Sequence, residues 1–278
     1  CEGKNLTSPA ERTPTTTSAS QFISSRNTIP PNSTAPVSTP NLTNTPPVPT
    51  SIPSLAPATS EAGLEESAGV IILAGMDGAY KHLFAVHPLY LQLTRLTTGA
   101  WDYDHPAISP DGTNLAYCSN QYGHWDVFIL NLVSGEETRV TQTENYACAP
   151  SWSPDGQWLA YETLVNGKLA IYIQSTVDPI TAPIHLTDGI GNNFAPAWSP
   201  GGREIAFVSD RNGRQEIWLA DLDAIENRLT SLVASEDADY SFPTWSLDGF
   251  SLAWTKTNDI VEVERMDLTD GKTERISV

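Results

Sequence analysis

Hydrophobic and polar residues alternate with a period of two along most of the chain after about residue 68. This is the pattern of half-buried β-strands. Between residues 106 and 141 the alternation is divided into short runs separated by turn residues. The first run ends at Ile108, and the next three cover residues 115–118, 127–130 and 137–140. No stretch from 68 to 278 keeps a helical period, so we predict an all-β domain of short antiparallel strands.

One phrase recurs four times in this region and begins a turn each time. It reads Pro-Ala-Ile-Ser-Pro-Asp-Gly in the first copy, and its serines are Ser109, Ser153, Ser199 and Ser246, spaced 44, 46 and 47 residues apart. Proline, aspartate and glycine are the residues that favour such turns. A second phrase, Arg-Leu-Thr or a close variant, begins at residues 95, 139, 185, 228 and 275. Repeats of about 40–50 residues with four strands each predict the blades of a β-propeller.

An incomplete copy precedes the four complete ones. Residues 71–73, 82–86 and 94–97 match the second, third and fourth strands, and Phe84 lies 13 residues before Thr97, as Phe128 does before Thr141. The sequence therefore predicts five blades, the first without a recognisable innermost strand. Three alternatives stay open: residues 55–67 supply a degenerate strand, the first blade has three strands, or a partner fills the gap.

The order of the phrases resembles a known family. Trp-Ser-Pro-Asp-Gly, followed by Leu-Ala-Tyr and later by Arg-Leu-Thr, is similar to the TolB-like propeller repeat over roughly residues 68–278. Ile108, Gly201 and Leu247 depart from that pattern in single repeats. The family's repeat occurs in the periplasmic TolB protein, which has six blades, and in the non-catalytic propellers of prolyl oligopeptidase-type peptidases. The five blades counted from the repeats differ from that number. The resemblance implies a propeller that binds or scaffolds other molecules.

The first 66 residues have a different composition, dominated by Pro, Ser, Thr, Asn and Ala. Such a segment cannot bury enough apolar area to offset its ordering entropy. The chain starts at Cys1 without an initiator Met, and this start resembles a bacterial lipoprotein after signal-peptide cleavage, with lipid on Cys1. The alternative is an arbitrary boundary. We predict a lipid-anchored tether at residues 1–66 and the propeller at residues 67–278, on the periplasmic or cell-surface side of a membrane.

The charge of the chain is strongly acidic, at −18, of which about −16 belongs to the propeller. Nucleic-acid-binding proteins carry the opposite sign, so the charge disfavours nucleic acid and we predict no nucleic-acid partner. Adsorption on anionic lipid is disfavoured for the same reason. Solubility of an extracytoplasmic domain is the simpler explanation for the charge, and attraction to a basic partner is the alternative.

Two cysteines fall within the propeller. Cys118 lies in a second strand, where the other complete repeats carry Glu162, Val208 and Thr255, and Cys148 lies in an innermost strand between alanines. An extracytoplasmic setting permits a disulfide. On these grounds we expect two buried thiols, and a bridge is the alternative.

The loops from each outermost strand to the next innermost strand are the candidate site, since in a propeller they converge at the central channel. Each combines an acid or amide with an aromatic ring, a mixture that suits peptide, glycan or cation binding. The alternative is that the polar groups cap strands and the rings pack between blades. The candidate binding residues are Trp101, Asp102, Tyr103, Asp104, His105, Tyr146, Asn192, Asn193, Phe194, Asp239 and Tyr240.

An enzyme would need more than these loops. The alternative function is a carbohydrate-binding propeller or a glycoside hydrolase that uses carboxylates such as Asp102, Asp104, Glu144 and Asp239. The Gly-x-Ser-x-Gly motif of a peptidase is missing. Asp102 with Asp104, or Asp237 with Asp239, offers too few oxygens for calcium. We therefore predict no catalytic residues, metal or cofactor.

Two further sets of recurring residues are expected to be structural. Trp152, Trp198 and Trp245 occupy one equivalent position in three repeats, which indicates core packing. Arg95, Arg139 and Arg228 are expected to pair with acids at blade edges. The sequence as a whole predicts a non-catalytic interaction module that docks on another membrane or envelope protein complex, with the membrane reached through Cys1.

Overall fold

The structure, a computed structural model, describes residues 69–178 and 180–276. Within them every regular element is a β-strand, and nineteen strands form five antiparallel sheets. This confirms the predicted all-β, five-bladed propeller. No helix in the same residues has the length and hydrophobicity needed to cross a membrane. Cys1 and the predicted tether at 1–66 lie outside the described residues.

Each sheet is one blade, and its strands follow the chain from the inside outward. Blade one has β1 (Ile71–Asp77), β2 (Tyr80–Val86) and β3 (Leu93–Arg95). Blade two has β4 (Tyr103–Ile108), β5 (Asn114–Ser119), β6 (Asp126–Asn131) and β7 (Glu137–Arg139). Blade three has β8 (Ala147–Trp152), β9 (Trp158–Val165), β10 (Lys168–Ser175) and β11 (Ile184–His185). Blade four has β12 (Asn193–Trp198), β13 (Glu204–Ser209), β14 (Glu216–Asp221) and β15 (Leu229–Val233). Blade five has β16 (Asp239–Trp245), β17 (Ser251–Thr257), β18 (Val261–Asp267) and β19 (Thr273–Ile276).

Hydrophobic clusters fill the spaces between successive blades. Leu83 of blade one packs with Tyr117 of blade two, and corresponding clusters join blades two and three, three and four, and four and five. In each case the innermost strand of one blade lies against the second strand of the blade before it. Burial of these apolar faces is the main favourable contribution to folding.

The turn of the first repeated phrase is held by its serine and aspartate. The Ser109 hydroxyl donates to Asp111, and its oxygen accepts the N–H of Asn114 at 2.9 Å. The same serine contact lowers the pKa of Asp111, and equivalent serines lower those of Asp155 and Asp248. The carboxylates therefore stay ionised well below neutral pH, and this contribution is lost as the pH falls through their folded pKa values.

The threonine of the second phrase ends the outermost strand and supports the third. Thr97, Thr141 and Thr187 are buried. Each hydroxyl accepts a backbone N–H from the third strand of its own blade, at 3.0, 2.9 and 3.2 Å. The backbone hydrogen-bond ladder of the outermost strand therefore stops before the threonine. In blade one β3 ends at Arg95, two residues before the end of the predicted strand at 94–97.

Two of the three arginines in that phrase pair with acids, as expected. Arg95 pairs with Asp77 at 2.7 Å, and Arg139 pairs with the fully buried Asp126 at 2.6 Å. Arg228 differs from the expectation: among residues 69–178 and 180–276 it has no acid partner, and its guanidinium donates to the backbone carbonyl of Ala224 at 3.2 Å.

The recurring tryptophans connect blades. Trp152 and Trp245 are half-buried and pack against the core clusters. Their indole N–H groups donate to the carbonyls of Ala107 and Ala197 in the preceding blade, at 2.9 and 3.0 Å. Trp198 packs in the same way and bonds within its own blade. Their structural role is confirmed.

Candidate functional site

The four complete blades share a bulge at an X-Pro pair in the innermost strand. The ladder between first and second strands shifts register there in each of these blades. The residue before the proline has a positive φ: 49° at His105, 51° at Ala149, 50° at Ala195 and 53° at Phe242. Such values are uncommon for residues with a side chain. Bulges re-aim side chains and often occur beside functional sites.

These four residues line one cavity, which we call the inner cavity. Together with the prolines that follow them and Thr244, they surround about 260 Å³. The lining is mostly apolar and small, apart from the imidazole of His105 and the ring of Phe242, both of which are exposed. Proline has no N–H to leave unpaired, so it suits a bulge. The inner cavity is therefore where four blades present equivalent positions.

The predicted residues of the blade-two loop are engaged with blade one. Asp102 accepts the backbone N–H of Lys81 at 2.8 Å, and Asp104 lies 2.6 Å from the Lys81 ammonium nitrogen. The Trp101 indole donates to the hydroxyl of Tyr103 at 2.7 Å. Burial raises the pKa of Tyr103, whose ring belongs to the core. These contacts fasten the loop to its neighbour.

The predicted residues of blades three and four are similarly occupied. The Tyr146 hydroxyl donates to Glu162 at 2.6 Å, and burial raises the pKa of this tyrosine. Asn193 is completely buried and accepts from the Arg211 guanidinium at 2.9 Å. Asn192 donates to a carboxylate of the adjacent hairpin at 2.7 Å. These side chains hold loops in place.

The last three predicted residues lie between blades four and five. Phe194 packs against the cluster that contains Tyr240, which meets the ring of Trp254 edge-on. Asp239 accepts the backbone N–H of Gln215 at 3.1 Å, and its carboxylate lies 3.3 Å from the guanidinium of Arg214. His105 is the predicted residue that the structure places in the inner cavity.

The X-Pro residues themselves were missed from sequence, apart from His105. The signal was present, because each repeated phrase begins with the proline of the bulge. Lys81 was also missed, since its partners lie in the next blade and only the blade packing brings them together.

Cys118 and Cys148 form a disulfide, which corrects the expectation of two buried thiols. Cys118 lies in β5 and Cys148 in β8, so the bridge joins blade two to blade three. The innermost strand of one blade lies against the second strand of the preceding blade, and the two Cα atoms are therefore 5.1 Å apart, within the range that permits a disulfide. Non-equivalent positions within the repeat are the ones that meet between blades.

Blade one exposes an apolar face that is buried in the other blades. Leu73 is paired with Phe84 in the same register as Tyr117 with Phe128, so Leu73 is the equivalent of Tyr117. Leu73 is 38% exposed, whereas Tyr117 is 0% exposed because it packs on the preceding blade. Ile71, one pair further along the same face, is 54% exposed.

The inner edge of blade one is also open among residues 69–276. β1 pairs with β2 on one side, and the contacts of β1 and β2 with β4 match those of second and third strands elsewhere. β1 is therefore a second strand, and none of the described strands occupies the innermost position. The prediction that blade one begins with a strand equivalent to the second strand of the other blades is confirmed, while residues 55–67 lie outside the described residues.

Comparison with known proteins identifies the family. Residues 96–278, more than half of the chain, match the TolB beta propeller domain. The chain belongs to this family. The chain spans less than a third of the length of the curated relatives it matches.

Three of the similar proteins illustrate the extent of the likeness. A TolB homologue of Chlorobium chlorochromatii is 32% identical over 144 residues, which are 51% of this chain and 31% of that protein. The crystal structure of TolB from Acinetobacter baumannii aligns at a TM-score of 0.63 with 22% identity, covering 71% of this chain and 49% of that one. The crystal structure of an oligogalacturonate lyase from Vibrio parahaemolyticus aligns at a TM-score of 0.54 with 12% identity. The alignment covers 75% of this chain and 62% of that one. The two structural likenesses show the fold alone.

Proposed function

We propose that this TolB-like propeller is a non-catalytic docking module that binds an extended segment of another membrane or envelope protein along blade one. The observation that carries the proposal is a β1 edge that no strand of residues 69–276 covers, together with the exposed face formed by Ile71 and Leu73. We call these two features together the docking surface. In the complete blades the same positions are covered by an innermost strand and a preceding blade.

An added strand would satisfy both features at once. The backbone groups along an open strand edge form a ready template for a strand from another chain. The exposed apolar side chains next to that edge would supply the buried contacts that hold such a strand. The occupant we infer is therefore an extended, apolar segment of a partner protein.

The loops from an outermost strand to the next innermost strand offer a second region of contact. Residues 101–105 and 237–240 remain the candidate loops. Their acids Asp102, Asp104 and Asp239 are already bonded to a cation or a backbone amide of the propeller. A partner would contact loops that are already held rigid by these bonds, and this lowers the entropic cost of binding.

The glycosidase alternative is less well supported by the same contacts. Asp104 is paired with Lys81 and Asp239 with Arg214. A general acid or base needs a carboxyl group that is free to exchange a proton with its substrate. The inner cavity carries His105 and apolar groups rather than a pair of carboxylates.

The tether and anchor complete the proposal. We infer that residues 1–66 form the tether, that residues 67–278 form the propeller, and that lipid on Cys1 holds the protein on the extracytoplasmic side of a membrane. Treated as a random coil of the same length, a segment of about 65 residues would span roughly 45 Å, enough to reach a partner beyond the lipid headgroups.

We expect the intact mass of the native protein to exceed that of the bare chain by a diacylglycerol at Cys1, with or without a further acyl group. Mass spectrometry of protein purified from membranes measures this directly. A free thiol and a free amine on Cys1 would contradict the anchor and leave the docking proposal to be judged separately.

Substitution of the docking surface is expected to abolish recovery of the partner. Leu73→Lys places a charge on the exposed face without touching the core. Loss of one apolar anchor at an interface typically costs about 2 kcal/mol, or roughly 30-fold in affinity. The measurement is a native pull-down from solubilised membranes with the full chain, quantified against the unaltered protein.

The matched control is Leu247→Lys, because Leu247 is 96% exposed in a turn of blade five. Equal recovery with both variants would contradict the docking surface. Recovery of the protein always alone, with turnover of a glycan that Asp104→Asn or Asp239→Asn abolishes, would favour the enzyme instead.

A further inference from the structure

Three side chains with metal-binding atoms meet at the bulge of blade two. The Nδ1 atom of His105 lies 3.4 Å from the sulfur of Cys148 and 3.8 Å from the sulfur of Cys118. The three atoms all lie within 4.8 Å of one another. Two strands of blade two and one of blade three supply them, so the cluster exists only in the folded propeller.

The surroundings combine burial with access. Cys118 and Cys148 are 0% and 2% exposed, while 45% of the His105 side chain is exposed and lines the inner cavity. A carboxylate oxygen of Asp104 lies 3.6 Å from the same imidazole nitrogen. The sulfurs are therefore shielded, and the imidazole side faces the cavity.

The spacing matches the edges of a tetrahedral zinc site. Zinc–sulfur bonds of about 2.3 Å and zinc–nitrogen bonds of about 2.0–2.1 Å place a sulfur and a nitrogen ligand roughly 3.6 Å apart. The two observed separations lie on either side of that value. The two sulfurs are joined in the disulfide and would need to part to about 3.8 Å, which requires reduction of the bond.

We propose that the Cys118–Cys148 disulfide is the oxidised form of a zinc site whose ligands are the two thiolates and Nδ1 of His105. A dithiol reductant donates two electrons and two protons, the S–S bond breaks, and the reductant becomes a disulfide. Zn²⁺ then displaces one proton from each thiol to solvent. These three ligands leave a fourth position for water or a donor from a partner.

The two states exclude each other, because a disulfide sulfur has no thiolate to offer the metal. Oxidation removes the site, and bound zinc protects the thiols from oxidation. Blades two and three are cross-linked by a covalent bond in the oxidised state and by a metal ion in the reduced state. This inference stands apart from the docking surface, which lies on blade one.

The test uses the full chain with Co²⁺ as a spectroscopic probe, before and after reduction by a phosphine. We expect the reduced protein to bind one Co²⁺ with thiolate-to-metal charge-transfer bands and the visible bands of tetrahedral cobalt, and added Zn²⁺ to remove them. The oxidised protein is expected to show no such bands. His105→Ala is expected to weaken binding at least tenfold, since it removes one of three protein ligands.

Two variants make the result specific. His185→Ala removes a histidine that stacks on Tyr172 in blade three, so it is expected to leave cobalt binding unchanged. The double variant Cys118→Ala/Cys148→Ala keeps Cys1 and is expected to lose the charge-transfer bands. The proposal is overturned if the reduced protein binds no stoichiometric Co²⁺, or if His105→Ala binds it as tightly as the unaltered protein.

Discussion

Replacement of Phe207 by alanine is expected to lower the free energy of unfolding by about 3–5 kcal/mol. Phe207 lies in β13 with no solvent exposure, in the cluster that joins blades three and four through residues such as Ile171. Removal of the ring loses its transfer free energy and leaves a cavity between two rigid sheets that cannot collapse into it. Thermal or denaturant unfolding followed by tryptophan fluorescence measures the change.

The control for this substitution is Phe250→Ala. Phe250 is 60% exposed at the turn of blade five, so the same chemical change there is expected to alter the free energy of unfolding by about 0.5 kcal/mol or less. If both variants were equally mild, the clusters between the blades would not be the source of stability.

Loss of the Cys118–Cys148 disulfide is expected to lower the free energy of unfolding by about 3–4 kcal/mol. The bridge closes a loop with a sequence separation of 30, and the entropy that it removes from the unfolded chain has this size. For a domain of this length the melting temperature is expected to fall by roughly 10 °C. The measurement compares the oxidised protein with the phosphine-reduced protein and with the Cys118→Ala/Cys148→Ala variant.

The double alanine variant also serves as its own control. Reductant is expected to cause no further shift in its melting temperature, which separates the bridge from other effects of the phosphine. Two titratable thiols at positions 118 and 148 in the denatured, unreduced protein would contradict the disulfide.

The blades could be predicted because their information is local and repeated. The turn at Ser109 to Gly112 and the buried threonine at Thr141 act within one repeat, so four copies reinforce one interpretation. The missing innermost strand of blade one was also visible, since the copy that starts at Ile71 matches second strands. Each of these features depends on neighbours in sequence or on one hairpin.

Features that arise between blades could not be predicted in the same way. The disulfide joins Cys118 to Cys148 because an innermost strand lies on the preceding blade, which comparison of equivalent positions does not reveal. The candidate loop residues such as Asn193 had the right chemistry for binding, and the structure shows that they bond to partners within the propeller. The bulge at His105 was missed because its positive φ is unusual for a residue with a side chain.

The most direct test of the docking module is site-specific photo-crosslinking in native membranes. A photo-reactive amino acid replaces Leu73 on the docking surface, and in a second protein it replaces the exposed Leu247 of blade five. We predict one discrete adduct with another protein from position 73 and none from position 247. No adduct from position 73, the same adducts from both positions, or a crosslink from position 73 to residues 55–67 of the same chain would contradict the account.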